Sequence, residues 1–298
     1  MKRSAGFSKY HPIINFVFYA GAFVFGMFLI HPAFLAVSLV SSAAYLISLK
    51  GGKGGKTVFG FLPLIFLLSL LNPLINTQGN MVLFYCPWGS PYTLEALFYG
   101  MALSTMVVSV LLWFASYQEV MTSDKFLYLF GGLVPSAALV LTMVLRLVPN
   151  FHKKTEQVRG ARKGVGMFQD EGDLRQRILQ GMDILSSMVS WALEGGIVMA
   201  DSMKSRGYGC GKRTNFSLYR FEGKDKRLLA WMTVLIAGTL LCVLKGGAAA
   251  AYTPELSLSG AGNGWTILGV VFYFLFLSLP TVINVSEDML WHILRSKI

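Results

Sequence analysis

Arg206 stands directly before Gly207 at the end of a helix-forming run, Ala200-Asp201-Ser202-Met203-Lys204-Ser205-Arg206-Gly207-Tyr208-Gly209. A glycine at that point can take the left-handed conformation that ends a helix and turns the chain away, and a cation in the last turn is favoured by the helix dipole. The guanidinium is left projecting at the helix end. Its planar fork can pair with a carboxylate, or with carbonyl oxygens in a groove of another protein, better than a lysine can. The chemistry on offer is recognition, and its bland counterpart is an ordinary helix cap with a solvated cation. A second cation-glycine pattern lies earlier, in Ala161-Arg162-Lys163-Gly164-Val165-Gly166, with Val158-Arg159-Gly160 as a competing register.

Other chemistry fails on spacing. Lys50-Gly51-Gly52-Lys53-Gly54-Gly55-Lys56-Thr57 has the residues of a phosphate-binding loop, but that pattern needs glycine where Lys50 stands and a strand before it. No cofactor is therefore expected on this chain, and any ATP would be handled by a partner. His11, His31, His152 and His292 have no cysteine or carboxylate at ligand spacing, and Cys86, Cys210 and Cys242 are too scattered for a metal pair or a disulfide framework. No metal site is expected. Asp170, Glu171 and Asp173 could hold Mg²⁺ in a membrane-embedded enzyme acting on a lipid or isoprenoid. Arg175 and Arg177 beside them, and the lack of a second acidic cluster, point instead to a solvated loop. No catalytic residues are expected.

The elements that must position these cations are mostly apolar. Of 298 residues, 54% are hydrophobic and 14% charged, a balance too apolar for an ordinary soluble domain. Charge-free runs cover residues 10–49, 57–94, 96–118, 126–145, 228–244 and 256–286, leaving room for helices of about 20 residues, one bilayer thickness each. The fold class is all-α: a polytopic helical membrane protein with a helical cytoplasmic coupling domain. We divide it into N-terminal membrane helices (1–125), a membrane-associated segment with cytoplasmic helices (126–227) and C-terminal membrane helices (228–298). A stand-alone carrier should place charged or polar residues within its spans, and these runs are nearly free of them.

The net charge of +11 does not indicate nucleic acid, because the lysines and arginines flank apolar runs and 15 of 26 fall within residues 150–227. The positive-inside pattern places those flanks, and both termini, in the cytoplasm. Spans are expected near residues 14–30, 34–49, 58–75, 96–116, 228–244 and 265–282, with the basic segment 50–56 and the uncharged segment 76–92 as loops. The first run is too long for a signal peptide and lacks a cleavage site. Residues 126–145 have cytoplasmic signals on both sides and are interrupted by Gly131-Gly132 and Pro135, so they are expected not to cross simply. Residues 151–163 read as a first cytoplasmic helix beyond Pro149. A second begins near Asp173 or Asp183 and ends at Gly207, with Ile184, Met188, Trp191, Val198, Met199, Ser202 and Met203 tracing one face.

The run from Ala200 to Gly209, followed by Gly211-Lys212-Arg213-Thr214 and Tyr219-Arg220-Phe221, resembles the transmembrane T component of energy-coupling factor (ECF) transporters, prokaryotic importers of vitamins and metal ions. Ser123-Asp124-Lys125-Phe126-Leu127-Tyr128-Leu129-Phe130 and Leu145-Arg146-Leu147-Val148-Pro149 share in the resemblance, which spans roughly residues 95–225. In that family, two coupling helices carry Ala-Arg-Gly-like signatures, each docking into a groove of one ATP-binding-cassette subunit. The second signature maps onto Ser205-Arg206-Gly207, with serine for alanine. The first maps onto Arg162-Lys163-Gly164, with lysine in the arginine position, or onto the register of Arg159-Gly160. The resemblance implies two ATPase subunits that bind ATP and Mg, a substrate-binding S component, the lipid bilayer of a prokaryotic plasma membrane and no enzymatic activity of its own. Trp191, Met199 and Met203 would press on the S component or on the chain's own membrane helices.

Overall fold

A computed structural model describes residues 6–76, 79, 81–85, 91–131, 134–166, 173–211, 219–248, 252 and 264–295. A 3-10 turn, Gly6–Lys9, precedes α1 (Pro12–Phe28), α2 (Pro32–Lys50) and α3 (Gly52–Ile75). An antiparallel pair, β1 (Val82–Tyr85) and β2 (Pro91–Thr93), leads into α4 (Leu94–Val120) and α5 (Ser123–Gly131). Then follow α6 (Pro135–Gly164), α7 (Leu174–Ser205), α8 (Gly223–Cys242) with a π-helical turn at Val243–Gly247, and α9 (Gly264–Arg295). The chain forms two compact units: Met1–Phe126 with Tyr219–Ile298, and the inserted Leu127–Leu218.

The first unit is an all-α membrane bundle. Among the described residues, five helices are long and apolar enough to cross a membrane: Pro32–Lys50, Gly52–Ile75, Leu94–Val120, Gly223–Gly247 and Gly264–Trp291. With 17 residues, α1 is a shorter apolar helix at the lower limit for a span. His11 and His31 stand before Pro12 and Pro32 and cap α1 and α2, each Nδ1 accepting the second-next backbone N–H at 3.3 Å. Proline at the first helical position loses no bond there, since that N–H has no partner within the helix.

The core is aromatic. Phe7, Phe18, Tyr45, Trp113, Tyr273 and Phe276 are almost fully buried in one cluster, with Phe18 edge-on to Trp113 at 5.5 Å between ring centroids. Small polar residues are buried in both α2 and α4. Ser38, Ser41 and Ser42 of α2 are buried, as are Ser104, Ser109 and Ser116 of α4. The hydroxyls of Ser42, Ser104, Ser109 and Ser116 donate to carbonyls of their own helix at 2.9 to 3.0 Å. Such residues let helix backbones approach without leaving those polar groups unpaired in an apolar interior.

Three expectations from the sequence change. Residues 50–56 are not a loop. Gly51, at φ 58°, alone reverses the chain, and α3 begins at Gly52. Gly54 then packs so closely that an added Cβ would collide with the Leu46 carbonyl oxygen. The glycines serve a tight helical hairpin, braced by Lys50 to Glu119 at 3.1 Å. Segment 76–92 holds β1 and most of β2, which ends at Thr93, and next to the pair Glu95 accepts the Met81 N–H on both carboxylate oxygens at 3.0 and 3.2 Å. Finally, no separate helix starts beyond Pro149. The 30-residue α6 runs through it from Pro135, because one proline removes a single donor and bends a helix without necessarily ending it. α5 ends at Gly131 and α6 begins at Pro135, Gly132 and Leu133 lying outside the described residues, and neither helix is among the five long apolar ones.

Candidate functional site

In the inserted unit α6 and α7 pack antiparallel. Phe151 meets Trp191 edge-on at 5.5 Å, and the Lys154 ammonium lies 5.9 Å from the centre of the Trp191 ring. Towards the end of α6, the Arg162 guanidinium donates to the Asp183 carboxylate at 3.1 Å. Between these contacts Ile184 and Met188 are the α7 residues that become buried. An open apolar groove of about 410 Å³ runs along the pair, lined by Phe151, Thr155, Ile184, Leu185 and Met188 among others.

The start of α7 is Leu174, whose N–H is capped by the Asp173 carboxylate at 2.8 Å. That decides between the two sequence alternatives, since Asp183 lies mid-helix and faces α6. The expected single face of α7 splits. Ile184, Met188 and Trp191 pack on α6, whereas Val198 and Met199 lie past the Phe151–Trp191 contact and are exposed. At 100° per residue, Met199 and Met203 instead continue a stripe that includes Leu174, Ile178, Met182, Leu185, Val189 and Leu193. These six are all largely exposed, Leu193 at 65%.

The two helix ends differ in register. α7 ends at Ser205 with Arg206 as the cap and Gly207 at φ 79°. Tyr208 N–H donates to the Met203 carbonyl at 3.1 Å and Gly207 N–H to that of Lys204 at 3.0 Å, the paired bonds of a Schellman cap. The Ser205 hydroxyl is turned back to the Asp201 carbonyl at 2.9 Å. Arg206 is exposed where the chain leaves the helix. In α6 the left-handed residue is Gly166, at φ 73°, and Val165 is the cap. Gly164 is still helical, Arg162 and Lys163 lie in the last turn, and Arg159 and Gly160 are a turn earlier. The two ends are therefore not repeats of one device: one places an arginine on the cap, the other holds its arginine against Asp183. Sequence reasoning named Asp183 only as a possible helix start and missed its pairing with Arg162 and the Phe151 and Lys154 contacts of Trp191, although a carboxylate and a tryptophan on the facing helix were the available signal.

Asp173 is used as a helix cap, and Asp170, Glu171 and residues 212–214 lie outside the described residues. Among the described residues no three His, Cys, Asp or Glu side chains gather as metal ligands.

No model of a known protein family matches the chain. Over 108 residues it is 32% identical to the energy-coupling factor transporter transmembrane protein EcfT of Streptococcus equi subsp. equi, covering 36% of this chain and 39% of that protein. The EcfT of Lactobacillus helveticus is 27% identical over 202 residues, 63% of this chain and 70% of that protein. The chain resembles EcfT. The EcfT of Streptococcus thermophilus extends the likeness at 24% identity to 67% of this chain and 80% of that protein. The match thus spans about two fifths of the first relative's length and most of the other two. With five long apolar helices, the likeness makes this a multi-pass membrane protein related to a transport component.

Proposed function

We propose that this chain is the transmembrane coupling subunit of an ECF-type importer in a prokaryotic plasma membrane, with both termini cytoplasmic. ATP binding closes two partner ATPase subunits, each gripping one end of the α6–α7 pair, and the pair passes that motion to a substrate-binding S component carrying a vitamin or metal ion. The observation that carries the reading is the end of α7, where a complete Schellman cap presents Arg206 on an inserted helical unit of a membrane protein related to EcfT. Ser205, Arg206 and Gly207 form one docking point. The other lies at the α6 end, among Arg159, Lys163 and Gly164, with Arg162 held against Asp183 as the brace that fixes that end. Met199 and Met203 serve the S-component or membrane side, while Trp191 sets α7 against α6, and methionine suits a surface that must accept varied partners. The chain itself needs no cofactor in this reading, because ATP and Mg are held by the ATPases, and it performs no catalysis.

The test is a mild-detergent pull-down of the tagged protein from its native membrane, with partners identified by mass spectrometry. Two ATP-binding-cassette subunits and a small hydrophobic protein are the expected companions. Recovery of the chain alone from an intact membrane would overturn the reading.

A further inference from the structure

The N-terminal turn Gly6–Lys9 touches more of the first unit than its length suggests. Phe7 is fully buried in the aromatic core, and its N–H donates to Asn284 Oδ1 of α9 at 3.0 Å. Lys9 pairs with Glu287, also on α9, at 2.5 Å, and Gly6 lies so close to that carboxylate that a Cβ would collide with it. Ser8 receives the ammonium of Lys125 on both its carbonyl, at 2.5 Å, and its hydroxyl, at 3.0 Å. Two residues on, His11 N–H faces Asp225 Oδ1 at 3.5 Å, and its ring lies edge-on to Phe221 at 4.8 Å.

Lys125 is 5% exposed, and a buried ammonium is tolerated only when its protons are taken up. Besides Ser8 it donates to the Val120 carbonyl at 3.0 Å, at the end of α4. With its amide oriented to satisfy both neighbours, Asn15 of α1 accepts from the same ammonium at 3.1 Å and donates to the Phe7 carbonyl at 3.0 Å. Burial pushes the Lys125 ammonium down to about 8, so at neutral pH it stays charged and keeps these bonds. Asp225 is equally committed. It is 6% exposed, and its other oxygen accepts the Glu222 N–H at 2.9 Å within a capping box at the start of α8.

These positions are the two ends of the insertion. The chain leaves the first unit at Phe126, one residue after Lys125, and re-enters at Tyr219, six before Asp225. We propose that the turn Gly6–Lys9, with His11, is a clasp that holds the exit of the inserted unit at Lys125 and its return at Asp225 in one fixed arrangement against α9. Lys125 acts as a positioning residue, since its contacts are with neighbouring chain. The consequence for transport rests on the proposed function: with the clasp loosened, the insertion's two roots move independently and less of any motion imposed on α6–α7 reaches the bundle.

The test is hydrogen exchange on the purified full-length protein in lipid nanodiscs, which needs no partner and so stands or falls apart from the transport reading. In Lys125→Met, exchange should rise about tenfold in peptides covering both 120–131 and 219–228, with α2 and α3 unchanged. Because that variant could unfold, Glu287→Gln is the second arm. It breaks a partly exposed pair on α9 that touches neither root, and a threefold rise at both roots is expected. A rise confined to 120–131 in Lys125→Met, or no change at the roots in Glu287→Gln, would overturn the proposal.

Discussion

The ends of α6 and α7 use the same residue types for opposite purposes. Arg162 lies inside the last turn of α6 and is committed to Asp183, so it ties the two helices together. Arg206 is itself the cap of α7, and the Gly207 turn leaves it exposed. The lesson is that a cation near a glycine does not define a docking point. What matters is which glycine takes the left-handed turn, because that decides whether the cation sits within the helix, beside its neighbour, or on the rim. The α6 turn falls at Gly166, two residues after the glycine of the signature.

The comparison breaks most sharply at Arg206. Replacing it with glutamate reverses the charge at an exposed position, so the fold should persist while an ATPase binds at least about 30-fold more weakly, the equivalent of 2 kcal/mol or more for a lost interfacial charge pair. Uptake of the cognate substrate in cells carrying Arg206→Glu should be lost, and normal uptake would remove the role assigned to it. Gly207→Val comes next. A β-branched residue at φ 79° costs roughly 1–2 kcal/mol, enough to open the Schellman cap, and faster amide exchange over residues 203–208 would report it. ATPase binding should fall several-fold although Arg206 is retained.

Arg162 should behave differently. A double-mutant cycle of Arg162→Ala with Asp183→Ala in thermal unfolding should give a coupling of about 0.5 kcal/mol, small because the carboxylate is 65% exposed. Zero coupling would mean that the pair is no brace. The smallest effect concerns a helix start. Burial holds His11 below the usual histidine range, partly opposed by the Asp225 carboxylate. The unfolded chain therefore takes up the proton first, and as pH falls below about 6.5 the cap on α1 loses stability until the folded histidine protonates as well. Exchange in the first turn of α1 should rise on acidification, and His11→Asn, which keeps a capping acceptor, should abolish the dependence.

The long apolar helices were legible in the sequence because spans need continuous apolar runs of known length, and five of those expected appear as such helices. The cap of α7 was legible because Arg206, Gly207 and Tyr208 contain the whole signal locally. The end of α6 was not, since Gly164 and Gly166 compete and the local residue types do not choose between them, whereas the structure puts the left-handed turn at Gly166. Pro149 gave a misleading stop, as a proline bends a helix whose neighbours still hold it. The Lys125 contacts were invisible for a different reason. Two of its four acceptors are backbone carbonyls, and Ser8 lies 117 residues away, so no residue type announces the pairing.

The most direct test of the central claim is the number of ATPase subunits retained per chain after purification, compared between wild type, Arg206→Glu and Arg162→Ala. The account predicts two subunits for the wild type, one for Arg206→Glu, and two that are more loosely held for Arg162→Ala. Two firmly held subunits on Arg206→Glu would contradict it.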